Sequence, residues 1–225
     1  MSEFSELTNS EEAKQRIYIK VLGTDGLLGT FSCKLDEITY ITVPDGTISD
    51  VCIAVKREIE LWPQTHRPLV ILSAGSFDLS KEGIGLVPVS HLKKDKEPFI
   101  KSLVKQVIDP VIDLQDFIFK RGGVLRITSV IPCALNFTLP KEYQEVLSRA
   151  YTRCYSEISA LNKKQGVDNL HVEQKILLHK ENGYGQKLVK DSCYESDLIH
   201  LNELGVKKTQ ACLLRLARDF FMYWD

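Results

Sequence analysis

An aspartate and a histidine stand three residues apart in the stretch DLIHLNELG, at Asp197 and His200. A carboxylate at that spacing can orient an imidazole for proton transfer, which is half of a nucleophilic hydrolase centre. The other half needs an attacking side chain and donors for an oxyanion. Three short polar turns carry residue types of that kind: TDGL at Thr24–Leu27, PDGT at Pro44–Thr47 and AGSFDL at Ala74–Leu79. The same Asp197 and His200 also fit a purely structural role, a carboxylate steadying a ring at a helix start beside the cap residue Asn202.

The elements around these turns decide whether they meet. Arg16–Leu22 and the β-branched run Ile38–Val43 read as strands. Thr47 followed by Asp50 predicts a capping box for a helix to about Trp62, with Ile48, Val51, Val55 and Ile59 on its apolar face. Leu69–Leu72 is continuously apolar, as a strand covered on both faces is, and Val124–Ile131 reads as the next buried strand. Helices are expected over Pro98–Lys120, bent or interrupted at Pro110, over Pro140–Asn162, and from Asn202 to Phe221. A last strand is expected at Leu170–Leu178. Strands alternating with helices predict an α/β fold, a three-layer α/β/α sandwich on a mainly parallel, flavodoxin-like sheet. Sites in such sheets lie beyond the carboxyl ends of the strands, where loops 23–30, 73–85 and 192–202 would gather. One domain, residues 16–225, follows an acidic flexible leader, residues 1–15.

Composition narrows the function. A formal net charge of −1 gives no global field toward nucleic acid or an anionic membrane, so such binding needs a local patch. The six cysteines include no CxxC pair, and His66, His91, His171 and His179 lack ligand spacing, so neither metal nor other cofactor is expected. With no signal-like apolar stretch near residue 1 and no membrane-length run, an intracellular protein, cytoplasmic or nuclear, is expected. "GTDGLLG" has neither the lysine of a P-loop nor GxGxxG spacing.

The four blocks in this order, over about residues 16–222, resemble the SGNH/GDSL hydrolases, and within them the compact branch found in retrotransposon proteins. The resemblance implies acyl transfer, with Asp197 and His200 as the triad acid and base, Asp25 beside the nucleophile and Gly46 in the oxyanion hole. Two positions depart from the pattern. Gly26 occupies the place of the nucleophilic serine, and Phe77 that of the oxyanion asparagine. Removing one oxyanion donor alone costs roughly 10²–10³ in rate. Thr24, Thr30 and Ser76 are the hydroxyls conceivable as replacements. The resemblance therefore implies a catalytically degenerate, non-catalytic binding module, for which the Oskar-type RNA-binding domain is a fold-level analogy. The alternative is a carboxylester hydrolase with a non-standard nucleophile. RNA or a protein is the expected partner, through Lys93, Lys94 and Lys96, through Lys207, Lys208, Arg215 and Arg218, or through both if they converge. A further lysine group comprises Lys163, Lys164, Lys175, Lys180, Lys187 and Lys190. The aromatic end DFFMYWD belongs either to the core or to a contact surface.

Overall fold

The computed structural model describes residues 17–28, 35, 37–80, 83, 85, 87–168, 177–181, 187–189, 191–198 and 200–223. The leader, Thr30, His171, Lys175, Lys190, Trp224 and residues 170–176 of the expected last strand lie outside them. Four parallel strands form the sheet in the order β2-β1-β3-β4: β1 (Tyr18–Thr24), β2 (Ile38–Thr42), β3 (Arg67–Ser73) and β4 (Val124–Ile127). The helices are α1 (Ile48–Glu60), α2 (Val89–Lys94), α3 (Glu97–Lys120), α4 (Lys141–Lys164) and α5 (Glu203–Met222). Strands alternating with helices over both sheet faces make the expected α/β architecture.

Period-2 alternation divides the core. Val21, Val70, Leu72, Leu125 and Ile127 point toward α1, α3 and α4. Leu22, Leu69 and Ile71 point the other way, toward α5 and the segment around Cys193–Leu201. The capping box of α1 is present, Thr47 accepting from Asp50 N–H while the Asp50 carboxylate accepts from Thr47 N–H. Asn202 caps α5 by accepting from Gly205 N–H. Pro110 sits inside α3, which continues through it to Lys120.

One expectation changes. The strand expected over Val124–Ile131 ends at Ile127, after which the chain turns away through buried Val130 and Ile131. Of the expected last strand, Leu177 and Leu178 are described, and they open β5 (Leu177–Glu181), which pairs antiparallel with β6 (Lys187–Val189) in a separate two-stranded sheet. What covers the outer edge of β4 is a pair of side-chain amides from the end of α4. Asn162 accepts from Ile127 N–H at 3.0 Å and donates to Ile127 O at 2.8 Å. Gln165 does the same for Leu125, at 3.0 and 2.6 Å. These two amides satisfy the backbone groups that a fifth strand would otherwise pair.

Candidate functional site

The loops after β1, β2 and β3 and the segment before α5 converge at the carboxyl end of the sheet. Asp25 ties the first and third together. Its Oδ2 accepts from Gly75 N–H at 3.1 Å and Ser76 N–H at 3.2 Å, and Oδ1 accepts from Leu27 N–H at 3.3 Å. Burial pushes its carboxyl up to about 6, against the pull of those backbone donors. Asp78 is fully buried and accepts from Ile48 N–H, the first residue of α1, at 2.8 Å. Burial also raises the Asp78 carboxyl above the usual range.

Gly26 has φ +83°, in the left-handed region. A Cβ built there lies 2.6 Å from Pro44 Cα and 3.3 Å from Val43 O. Those neighbours are backbone, held in register because Val43 N–H donates to Thr24 O at 3.0 Å. Position 26 therefore lacks a side chain and also lacks room for one. Gly46 N–H donates to Val43 O at 3.1 Å within its own turn. The amides of Gly75 and Ser76 are turned to Asp25, and Phe77 supplies no polar side-chain group.

His200 is held on both sides. Its Nδ1 lies 2.7 Å from Asp197 Oδ2, and its N–H donates to Asp197 Oδ1 at 3.0 Å. Its Nε2 lies 3.0 Å from Asp45 Oδ1, across 155 positions of sequence. The hydrogen bond to Asp197, and then that to Asp45, raises the imidazole above its ordinary pKa. With an acceptor on each ring nitrogen, the ring is stabilised as an imidazolium, the form that cannot act as a base. The segment carrying it is tightly folded. Leu198 takes φ +58°, Glu195 N–H donates to His200 O, and Asn202 donates to Ser192 O and Tyr194 O. Gly205 is required because any Cβ there would lie 2.1 Å from Cys193 O.

Between these loops is a cavity of about 300 Å³ lined by Asp25, Leu27, Asp45, Ser76, Phe77, Cys133 and His200. The structure thus brings Gly26, Gly46, Phe77, Asp197 and His200 to one end of the sheet, as the sequence predicts. Asp45 and Cys133 were not foreseen. Asp45 is visible in PDGT as an acid, but its reach to residue 200 depends on β2 lying beside β1. Cys133 follows β4 after an irregular stretch and carries no motif.

This architecture coincides with solved structures. A GDSL-like lipase from Bacteroides thetaiotaomicron matches with a TM-score of 0.55 at 15% identity, over 92% of this chain and 90% of that one. A structure from Bacteroides fragilis assigned as an acylhydrolase matches with a TM-score of 0.56 at 12% identity, over 92% and 88%. The fold is SGNH-like. The C-terminal domain of the Drosophila Oskar protein shares it, with a TM-score of 0.51 at 12% identity, over 85% and 84%. No family model matches the sequence, and no curated protein matches it.

The two basic groups of this SGNH-like domain lie on opposite faces of the sheet and do not converge. Lys93 pairs with Glu142 at 3.6 Å and Lys96 with Glu145 at 2.7 Å, both on α4, while Lys94 is exposed. Arg149 and Arg153 join that network through Glu97. On α5, Lys207, Lys208, Arg215 and Arg218 are all exposed. At 100° per residue they fall within one arc of about 100°. Leu204, Met222 and Tyr223 are exposed at the ends of that helix, whereas Phe220 and Phe221 are buried in the core. Among the described residues, no helix is long and apolar enough to cross a membrane, and no group of His, Cys, Asp and Glu could hold a metal ion.

Proposed function

We propose that this SGNH-like domain is a non-catalytic binding module that holds single-stranded RNA along the outer face of α5. One observation carries the non-catalytic reading: a Cβ at position 26 would meet Pro44 backbone at 2.6 Å, so no attacking side chain fits there. The engagement of His200 Nε2 by Asp45, and of Gly46 N–H by Val43 O, supports it.

For RNA, the support is the α5 stripe. Its four cations span eleven residues, about 16 Å of helix, and have no acidic partner among the described residues. Lys93 and Lys96 are already balanced by glutamates and contribute less. Exposed Tyr223 adds a ring on which a base can stack. The Oskar-type analogy implied by the sequence points the same way.

Filter binding of the full chain to single-stranded RNA across a salt series tests the reading. Four phosphate contacts give a slope of about −3 in log–log form, a loss of about 50-fold between 50 and 200 mM salt. Lys208→Ala with Arg215→Ala should lower the slope by about 1.4. Absence of salt-dependent binding at micromolar protein removes RNA and leaves a protein partner. Turnover of an activated butyrate ester, abolished by His200→Ala, would overturn the non-catalytic reading instead.

A further inference from the structure

The cavity at the end of the sheet has a chemistry different from that of an acyl pocket. Asp25 and Asp45 line it, and Asp197 stands directly behind His200. Against these three carboxylates stands one imidazole, and no lysine or arginine is among the described lining residues. Even with His200 protonated and all three acids ionised, the site carries a net negative charge. Its walls are otherwise Leu27, the Phe77 ring and the Cys133 thiol, which donates to Leu198 O.

Ser76 supplies a second, independent observation. The residue is 7% exposed and lines the cavity, and its N–H is held by Asp25. No hydrogen bond joins its hydroxyl to another described residue, and the Oγ is not among the fully buried unpartnered atoms, so it is open to the cavity that Ser76 lines. A buried hydroxyl open to a cavity is a place for a ligand's polar group. Asp45 likewise touches His200 through Oδ1 only, so Oδ2 remains for another donor without breaking that contact.

We propose that this cavity binds a primary alkylammonium, its alkyl chain against Leu27, Phe77 and Cys133 and its charged head between Ser76 Oγ and Asp45 Oδ2. An ammonium is a compact donor of three hydrogen bonds with no acceptor, which suits a hydroxyl and carboxylates together. A carboxylate or phosphate would face three like charges and is rejected. The proposal rests on the reading that the hydrolase centre is idle. The amine comes either free or as the side chain of a lysine, and both present the same head group.

Titration of the full chain with hexylamine, hexanol and hexanoate, followed by amide and imidazole NMR shifts, tests this. Hexylamine should shift Leu27, Phe77 and His200 at millimolar concentration, and hexanoate should bind at least tenfold more weakly. Asp45→Asn should weaken hexylamine about fivefold, leaving hexanol unchanged, and Ser76→Ala should weaken both. Nα-acetyl-lysine amide forms the second arm. Tighter binding of it than of hexylamine identifies a lysine side chain as the source, and the reverse identifies a free amine. Hexanoate binding as well as hexylamine, or no shift of the cavity residues by any amine, overturns the cation site. The esterase assay separates the two claims: turnover would sink the idle centre, whereas missing amine binding without turnover would sink the cation site alone.

Discussion

Placing a serine at position 26 tests the proposed non-catalytic reading most directly. Gly26→Ser places a Cβ 2.6 Å from Pro44 Cα, on a backbone with φ +83°. A non-glycine residue in left-handed geometry costs about 1–2 kcal/mol. Pushing aside a packed backbone neighbour adds about 1–3 kcal/mol, as overpacking does. Pro44 cannot move alone, because Val43 is bonded to Thr24 on one side and Gly46 closes back on Val43 on the other. The sum, about 2–5 kcal/mol, is a large share of the roughly 5–15 kcal/mol that holds a domain folded. With a urea m-value of about 2–3 kcal/mol/M for a chain of this length, the midpoint should fall by about 0.7–2.5 M. The thermal midpoint should fall by about 4–20 °C. Urea denaturation followed by circular dichroism reads the first, and an activated ester run in parallel should show no turnover. A variant with an unchanged midpoint, or one that hydrolyses the ester, would refute the argument that position 26 is closed.

Asn162→Leu leaves Ile127 N–H and C=O unpaired at a fully buried position and should cost about 2–4 kcal/mol in denaturant unfolding. Asp45→Asn removes one of the two carboxylates on His200, so the imidazole should titrate lower by NMR while staying above its ordinary value because Asp197 remains. The pH profile of stability follows from two raised groups. Asp25, folded at about 6 against 3.8, binds its proton more tightly when folded and so adds stability as pH falls from about 6 toward 3.8. His200 is also raised, so its contribution is fully present below its unfolded value of about 6.5 and is lost as pH rises through the folded one. The urea midpoint should therefore rise between pH 8 and pH 5, and a profile that falls over that range would contradict both assignments.

The parts of the fold written in local chemistry were legible. Thr47 with Asp50 and Asn202 with Gly205 mark helix starts through bonds made within four residues, and both are present. The apolar run of β3 announces burial on both faces, and β3 is central in the sheet, whereas β4 buries Leu125 and Ile127 and leaves Val124 and Arg126 half-buried. What failed depended on distant partners. Val130 and Ile131 are as apolar as a strand demands, yet they are buried by irregular chain rather than by pairing. Lys93 and Lys96 look like a free basic patch until α4 brings Glu142 and Glu145 against them. Asp45 was hidden for the same reason, since its contact with His200 joins positions 155 apart in sequence.

The residues that match the SGNH pattern are the ones with structural work beyond catalysis. Asp25 bonds three backbone amides and joins two loops, so its removal would unpair buried donors whether or not the centre reacts. Asp78 holds the start of α1, and Gly46 closes the turn that leads into it, in a space where a Cβ would lie 2.5 Å from Val43 Cγ1. Asp197 bonds both the ring and the N–H of His200, fixing the turn into α5. The two departures, Gly26 and Phe77, fall where the pattern asks for an attacking oxygen and a polarising amide, groups that fold nothing. With Asp197 on Nδ1 and Asp45 on Nε2, both imidazole nitrogens have a carboxylate partner, and the glycine at position 26 lets the β2 turn pack against it. On the non-catalytic reading proposed above, the packing that closes position 26 leaves beside it a cavity rimmed by Asp25 and Asp45 and lined by Ser76, and the proposed cation site rests on that arrangement.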